Sequence, residues 1–137
     1  MTAGALSEKE ATMIRALRTF ASLSVDDLDA ARSFYGQTLG MRLSGEGERG
    51  PLWLHGPDGH DTLIYPKPDH VPATFTVLNF AVDSIEETVD ELATRGVQFE
   101  RYEGLKTDAR GIYDGEGHST AWFTDPAGNV LSIVQFG

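Results

Sequence analysis

Apolar and polar positions along the chain keep switching between a period of two and a period near three and a half. "TFASLSV" alternates and predicts a strand, while "DDLDAARSFYGQTLG" puts Leu28, Ala31 and Tyr35 on one helical face, with Asp26 or Asp27 as cap and Gly40 as stop. Short apolar runs follow at "MRLS", "PLWLH" and "DTLIYP", divided by glycine-rich turns that mark three strands. The prolines of "PKPDHVPAT" predict an extended connector with a solvated His70. Then the order recurs. "TVLNFAV" reads as a strand, and "DSIEETVDELATRG" as a helix with a Ser84/Glu87 capping box, an Ile85, Val89 and Leu92 stripe, and Gly96 as its stop. "VQFERYE", "TAWFTD" and "NVLSIVQF" predict three more strands around a long, mobile loop, "GLKTDARGIYDGEGHS". Ahead of all this, "LSEKEATMIRAL" predicts a helix capped by Ser7 and Glu10, with Met13, Ile14 and Leu17 docking on the domain or on a partner subunit.

The two halves share more than element order. "SVDDLDAA" matches "AVDSIEET" at one fixed offset, and "LWLHGPDGHDTLIY" matches "AWFTDPAGNVLSIV" at another, setting Trp53 opposite Trp122. This is an internal duplication. A half of about 50 to 60 residues with one helix is too small to cover its own sheet, so the halves are expected to fold together around a shared cavity. The organisation expected is one domain over 1–137: an N-terminal helical extension at 1–17, module one at 18–66, a connector at 67–74 and module two at 75–137.

Composition narrows the partners. With 21 acidic against 11 basic residues, a formal net charge of −10 repels nucleic-acid phosphates and anionic membrane surfaces, so neither is expected as a partner. The absence of cysteine excludes disulfides, thiolate nucleophiles and cysteine-based zinc sites. Without an apolar run of membrane-spanning length or a signal-like start, the chain is read as cytoplasmic.

The duplicated module, with "SVDDLDAARSFYGQTLGMRL" at its front and "TDPAGNVLSIVQ" at its back, resembles the vicinal oxygen chelate superfamily of glyoxalases, extradiol dioxygenases, epimerases and bleomycin-type resistance proteins. "YPKPDHVPATFTVLNFAVDSIEETVDELATRGVQFERYEG" is similar to a bacterial subgroup described only as glyoxalase- or bleomycin resistance protein-like. The resemblance implies an α+β fold of two βαβββ modules forming a cupped mixed sheet around a cavity, and a homodimer. It also implies where a divalent metal would be held in the superfamily's enzymes: positions occupied here by Phe20, Leu63, Val77 and Ser132. Three hydrocarbons and a neutral hydroxyl do not form a donor set, so no metal and no cofactor are expected.

Strand alternation indicates what lines the expected cavity instead. Phe20, Ser22 and Ser24 share one face of the first strand, Val77, Asn79 and Ala81 the matching face of its counterpart, and Val130, Ser132 and Val134 one face of the last. With Leu63, Trp53 and Trp122, and with Phe75, Tyr65, Tyr102 and Tyr113 as further aromatic candidates, this composition suits a neutral organic molecule. The ligand-binding residues expected are therefore Phe20, Ser22, Ser24, Trp53, Leu63, Val77, Asn79, Trp122 and Ser132.

His118, at the end of the long loop, is the candidate acid or base; His55 and His60 flank the "GPDG" turn as surface residues. Arg101 and Lys106 could meet a ligand carboxylate, and Asp114, Glu116 and His118 form a weak metal-like cluster. "GEGERG" leads into a strand and carries acidic residues where a pyrophosphate would sit, so it is not a nucleotide loop. The leading functional reading is metal-independent binding of a small apolar or aromatic molecule, as in antibiotic sequestration and resistance. Two alternatives stand beside it: a glyoxalase- or epimerase-like lyase or isomerase, and a non-catalytic accessory subunit.

Overall fold

The computed structural model describes residues 14–45 and 50–137. Module one runs β1 (Ala21–Val25), α1 (Leu28–Arg32) with a π-helical continuation (Ser33–Thr38), β2 (Arg42–Gly45), β3 (Leu52–His55) and β4 (Asp61–Pro66). Module two runs β5 (Thr76–Ala81), α2 (Ile85–Thr94), β6 (Tyr113–Gly115), β7 (His118–Thr124) and β8 (Val130–Phe136). The α+β arrangement of paired βαβββ modules is present. Strands pair within each module, giving two mixed four-stranded sheets in the same order, β1-β4-β3-β2 and β5-β8-β7-β6, with the first strand of each parallel to the last. Side chains, not a shared ladder, unite the modules: a single cluster of buried residues draws Leu23, Val25, Leu54 and Ile64 from one sheet and Phe123, Leu131 and Ile133 from the other.

Both helices start as their sequences require. The carboxylate of Asp27 accepts from Ala30 N, and the hydroxyl of Ser84 accepts from Glu87 N, each satisfying an orphan first-turn donor. Ile85, Val89 and Leu92 turn inward at 4%, 2% and 6% exposure, and each contributes about 1.5–3 kcal/mol of apolar burial. The helix ends differ by one residue. Val97 N reaches back to Leu92 O after α2, whereas Met41 N reaches Tyr35 O after α1, and Leu39 N bonds Phe34 O five residues earlier. The extra residue of module one widens its last turns into the π-helix. Gly40 and Gly96 then reverse the chain at φ 69° and 93°.

Several expectations change. Residues 1–13 of the expected N-terminal helix lie outside the described residues, and at its other end Ile14 and Leu17 are non-helical and exposed, so neither docks on the domain. "VQFERYE" forms no strand beyond a bridge from Glu100 to Trp122. The neighbouring strand β6 comes instead from the segment expected to be mobile. That segment is pinned from within: Asp108 Oδ1 accepts from Arg110 N and Ile112 N, and the Arg101 guanidinium donates to the carbonyls of Asp108 and Ala109. Buried Ile112 anchors it to the core, and Arg101 is thereby committed to the loop instead of a ligand.

His70 is also relocated. Its Nε2 donates to Ala127 O at 3.0 Å, which leaves Nδ1 to accept from the Ser24 hydroxyl at 2.6 Å. The connector is thus tied to both modules through a half-buried imidazole. Beside it stands a second tie. Asp125 Oδ2 accepts from Tyr35 Oη at 2.7 Å and from Asn129 Nδ2 at 2.9 Å, Asp125 Oδ1 accepts from the backbone of Ala127 and Asn129, and Asn129 Nδ2 also donates to Ser24 O. Tyr35, Asp125 and Asn129 are 0%, 4% and 3% exposed, so this clamp is shielded from competing water. Burial, reinforced by the Asp125 charge, pushes the Tyr35 phenol far above its ordinary value and keeps it a neutral donor.

Candidate functional site

Each sheet has one face packed on the core and one face turned away, and the expected ligand-binding residues divide between the two open faces. On sheet one, register sets Ser22, Leu63, Trp53 and Ser44 in a row across four strands. Phe20 meets Trp53 edge-on at 4.9 Å, and the Arg18 guanidinium lies 5.3 Å and 5.2 Å from the two ring centres. Phe20 is 49% exposed and Ser22 is exposed, so this face is an open aromatic shelf with one cation above it. Ser24 belongs to the same alternation, but its hydroxyl is engaged by His70.

On sheet two the corresponding row is Asn79, Ser132 and Trp122. The Ser132 hydroxyl donates to Asn79 Oδ1, and Ser132 is fully buried beneath its neighbours. Trp122 is flanked by Tyr102 at 5.6 Å and Tyr113 at 6.1 Å. Burial, and secondarily the charge of Glu100, raises the Tyr102 phenol, so it remains a neutral hydrogen-bonding group. The result is an aromatic trough with an amide beside it. Tyr102 and Tyr113 were legible only as aromatic candidates, because nothing local in the sequence links the 97–115 segment to the Trp122 face.

Val77 departs from the expectation. The pairing of β5 with β8 shifts register between Thr76 and Leu78, making Val77 the extra residue of a bulge, and its side chain packs against the core. Alternation counted through a bulge assigns the wrong face, which is why the sequence placed Val77 with Asn79.

The four positions where the superfamily's enzymes would bind a metal do not fit one. Phe20, Leu63 and Val77 offer no lone pair, and the hydroxyl of Ser132 is already donated to Asn79. Among the described residues no group of three or more His, Asp or Glu side chains converges elsewhere. His118 opens β7 instead of riding a mobile loop. Its Nδ1 donates to Glu116 O, and it shares the open face of Trp122. His55 is half-buried, accepting from Ser44 and donating to Asp61, whereas His60 is exposed and donates to Asp58 at 2.7 Å. Among the described residues no helix is long and apolar enough to cross a membrane.

A hollow lies elsewhere. A cleft of about 500 Å³ opens between the modules, bounded by Leu54 and Thr62 from the core side of sheet one, by Leu92 of α2, and by the free edge of β5 from Leu78 to Ala81. The turn Gly56–His60 forms its mouth. Its walls are mainly hydrocarbon, and of the residues that sequence alternation assigned to a cavity, Asn79 and Ala81 line it.

Comparison with known proteins agrees with this architecture. No curated protein matches the chain. Among solved structures, TnmS3, an antibiotic binding protein from Streptomyces sp. CB03234, is 24% identical with a TM-score of 0.66, covering 89% of this chain and 98% of its own. A glyoxalase/dioxygenase from Nostoc punctiforme is 19% identical with a TM-score of 0.64, covering 91% of this chain and 93% of its own. A glyoxalase / bleomycin resistance protein from Catenulispora acidiphila is 20% identical with a TM-score of 0.63, covering 89% and 100%. At these identities the likeness is one of fold. The family model described as Glyoxalase/Bleomycin resistance protein/Dioxygenase superfamily matches residues 17–133, and the chain belongs to that superfamily.

Proposed function

We propose that the protein captures a small, largely apolar or aromatic organic molecule on its open sheet faces without a metal. The observation that carries this reading is the trough of Trp122, Tyr102 and Tyr113 beside the Ser132–Asn79 pair, standing where the family's metal ligands are replaced by groups that cannot bind one. Flat rings gain from stacking and edge contacts there, and Asn79, exposed at the rim, supplies an amide for orientation. Capture changes no bond in the guest. Its effect is to lower the free concentration of the ligand. The fold shared with TnmS3 makes aromatic antibiotics the first compounds to try.

The same reading includes assembly as a homodimer, supported by the exposure of three large apolar side chains, Phe20, Phe75 and Phe136, at 49%, 68% and 73%. Sedimentation velocity showing only monomer at every concentration would remove that part.

Titration of a panel of aromatic natural products against tryptophan fluorescence tests the capture. Saturable quenching that disappears in Trp122→Leu, together with release of the unaltered compound on denaturation, is expected. Recovery of a chemically changed compound would favour catalysis, with His118 on the same face as the acid–base group, and stoichiometric transition metal in the purified protein would overturn the metal-free claim.

A further inference from the structure

The cleft occupies a defined place in the internal duplication. Offsets read from the backbone pair Ser24 with Ala81 and Tyr35 with Leu92, since Met41 N reaches Tyr35 O as Val97 N reaches Leu92 O. They pair Asp125 with Gly56 and Asn129 with His60 as well: both turns carry the bonds from first residue N to fifth residue O and from fourth residue N to first residue O, and Gly59 and Gly128 adopt φ 82° and 84°. Ser24, Tyr35, Asp125 and Asn129 are the buried clamp between module one and the turn of module two. Their four counterparts, Ala81, Leu92, Gly56 and His60, all line the cleft.

The cleft is therefore the second copy of the clamp with its polar parts deleted. Tyrosine has become leucine and aspartate has become glycine, whereas Ser24 enters the clamp only through its backbone carbonyl, a group that Ala81 retains. The space that the Tyr35 ring fills in one copy is open in the other. Gly56 cannot restore the carboxylate, because a Cβ there would stand 2.5 Å from the His60 carbonyl oxygen. At the rim His60 donates through Nδ1 to Asp58 and leaves Nε2 of the neutral ring as an acceptor, while Thr62, Asn79 and Thr88 add the other polar side chains of the walls.

We propose that this cleft is a binding site for a phenolic aromatic molecule, whose ring takes the place of the missing tyrosine and whose hydroxyl donates to the His60–Asp58 pair. The frame is known to hold a phenol because its twin does so in Tyr35. Hydrocarbon from Leu54, Leu78, Leu92 and Ile133 accounts for the ring, and a volume of about 500 Å³ lies within the usual range of small-molecule sites. The Asp58 carboxylate at the mouth, in a chain of net charge −10, disfavours anionic guests of the same shape. The site lies around the edge of β5 from the Trp122 trough and does not rest on the function proposed for that face.

β-Naphthol titrated into protein labelled with carbon-13 at its Leu, Ile and Val methyls tests the assignment. The expected result is saturable shifts at Leu54, Leu78, Leu92 and Ile133, with β-naphthoate binding about tenfold or more weakly. Leu92→Tyr, which rebuilds the twin's ring in the hollow, should weaken the β-naphthol response at these methyls about tenfold or more. Wild-type methyls that stay still while the Trp122 indole responds would overturn the proposal, whatever Leu92→Tyr does to folding. Undiminished binding by a folded Leu92→Tyr chain, or equal binding of β-naphthoate, would overturn it too.

Discussion

The turn at Gly56–His60 and the turn at Asp125–Asn129 follow the same backbone plan with opposite consequences. In the second, a buried aspartate gathers two backbone donors, an amide and a phenol; in the first, an exposed Asp58 meets only the backbone and ring of His60. The sequences "DPAGN" and "GPDGH" differ at three positions, yet burial separates their energetics. A hydrogen bond shielded from water leaves its partner orphaned when broken, whereas an exposed one is replaced by solvent. The duplication thus keeps one copy for cohesion and leaves the other free.

The largest test of that contrast is Asp125→Ala. Loss of the acceptor for Tyr35, Asn129 Nδ2 and two backbone amides should cost about 3–4 kcal/mol in urea unfolding. Removing the carboxylate of the other turn by Asp58→Ala should leave the urea midpoint where it was, since that group is held low by the solvent-exposed pair with His60. Equal effects would erase the distinction.

Tyr35→Phe comes next, with a cost of about 1–2 kcal/mol from the lost donor to Asp125. It also carries a signature in pH. Because the folded phenol lies above the ordinary 10.0, the clamp's contribution is fully present below pH 10 and is lost progressively as pH rises further, when a phenolate would face the Asp125 carboxylate. Alkaline unfolding should therefore be shallower in Tyr35→Phe than in the parent protein, and identical slopes would remove Tyr35 as the cause.

The smallest effect separates Ser24 from its counterpart. Ser24→Ala removes the donor to His70 Nδ1 and should cost about 1 kcal/mol, while Ala81→Ser on the exposed, unclamped side should stay within about 0.5 kcal/mol of the parent. A reversal of that order would mean that the connector histidine is not fixed by the hydroxyl.

Much of this was legible in advance, for local reasons. Asp27, Ser84, Gly40 and Gly96 mark helix ends through requirements of a single turn, and the repeat was visible as text. Trp53 and Trp122 were legible as aromatic candidates with their strand phase open, and register sets them beside Leu63 and Ser132, since adjacent strands share a pleat. Failures arose where a partner distant in sequence decides. Nothing near His70 announces Ser24 or Ala127, and nothing in "VQFERYE" shows that Tyr113–Gly115 takes the neighbouring place beside β7. The bulge at Val77 defeated a count that assumes a regular ladder. The Gly56 and His60 substitutions in the repeat could be seen, but their meaning required knowing that Leu92 stands where Tyr35 would.

The clamp also sets the order in which the chain can become itself. Tyr35 and Asp125 are 90 residues apart, and Ser24 and Asn129 are 105 apart. During synthesis the first module leaves the ribosome with its phenol and its strand-end carbonyl still waiting for acceptor and donor that have not been made. Closing so long a loop is slow relative to local helix and hairpin formation, so these bonds complete the fold instead of starting it. A nascent first module is consequently a dependent half, exposed to wrong pairing until Asp125 and Asn129 arrive.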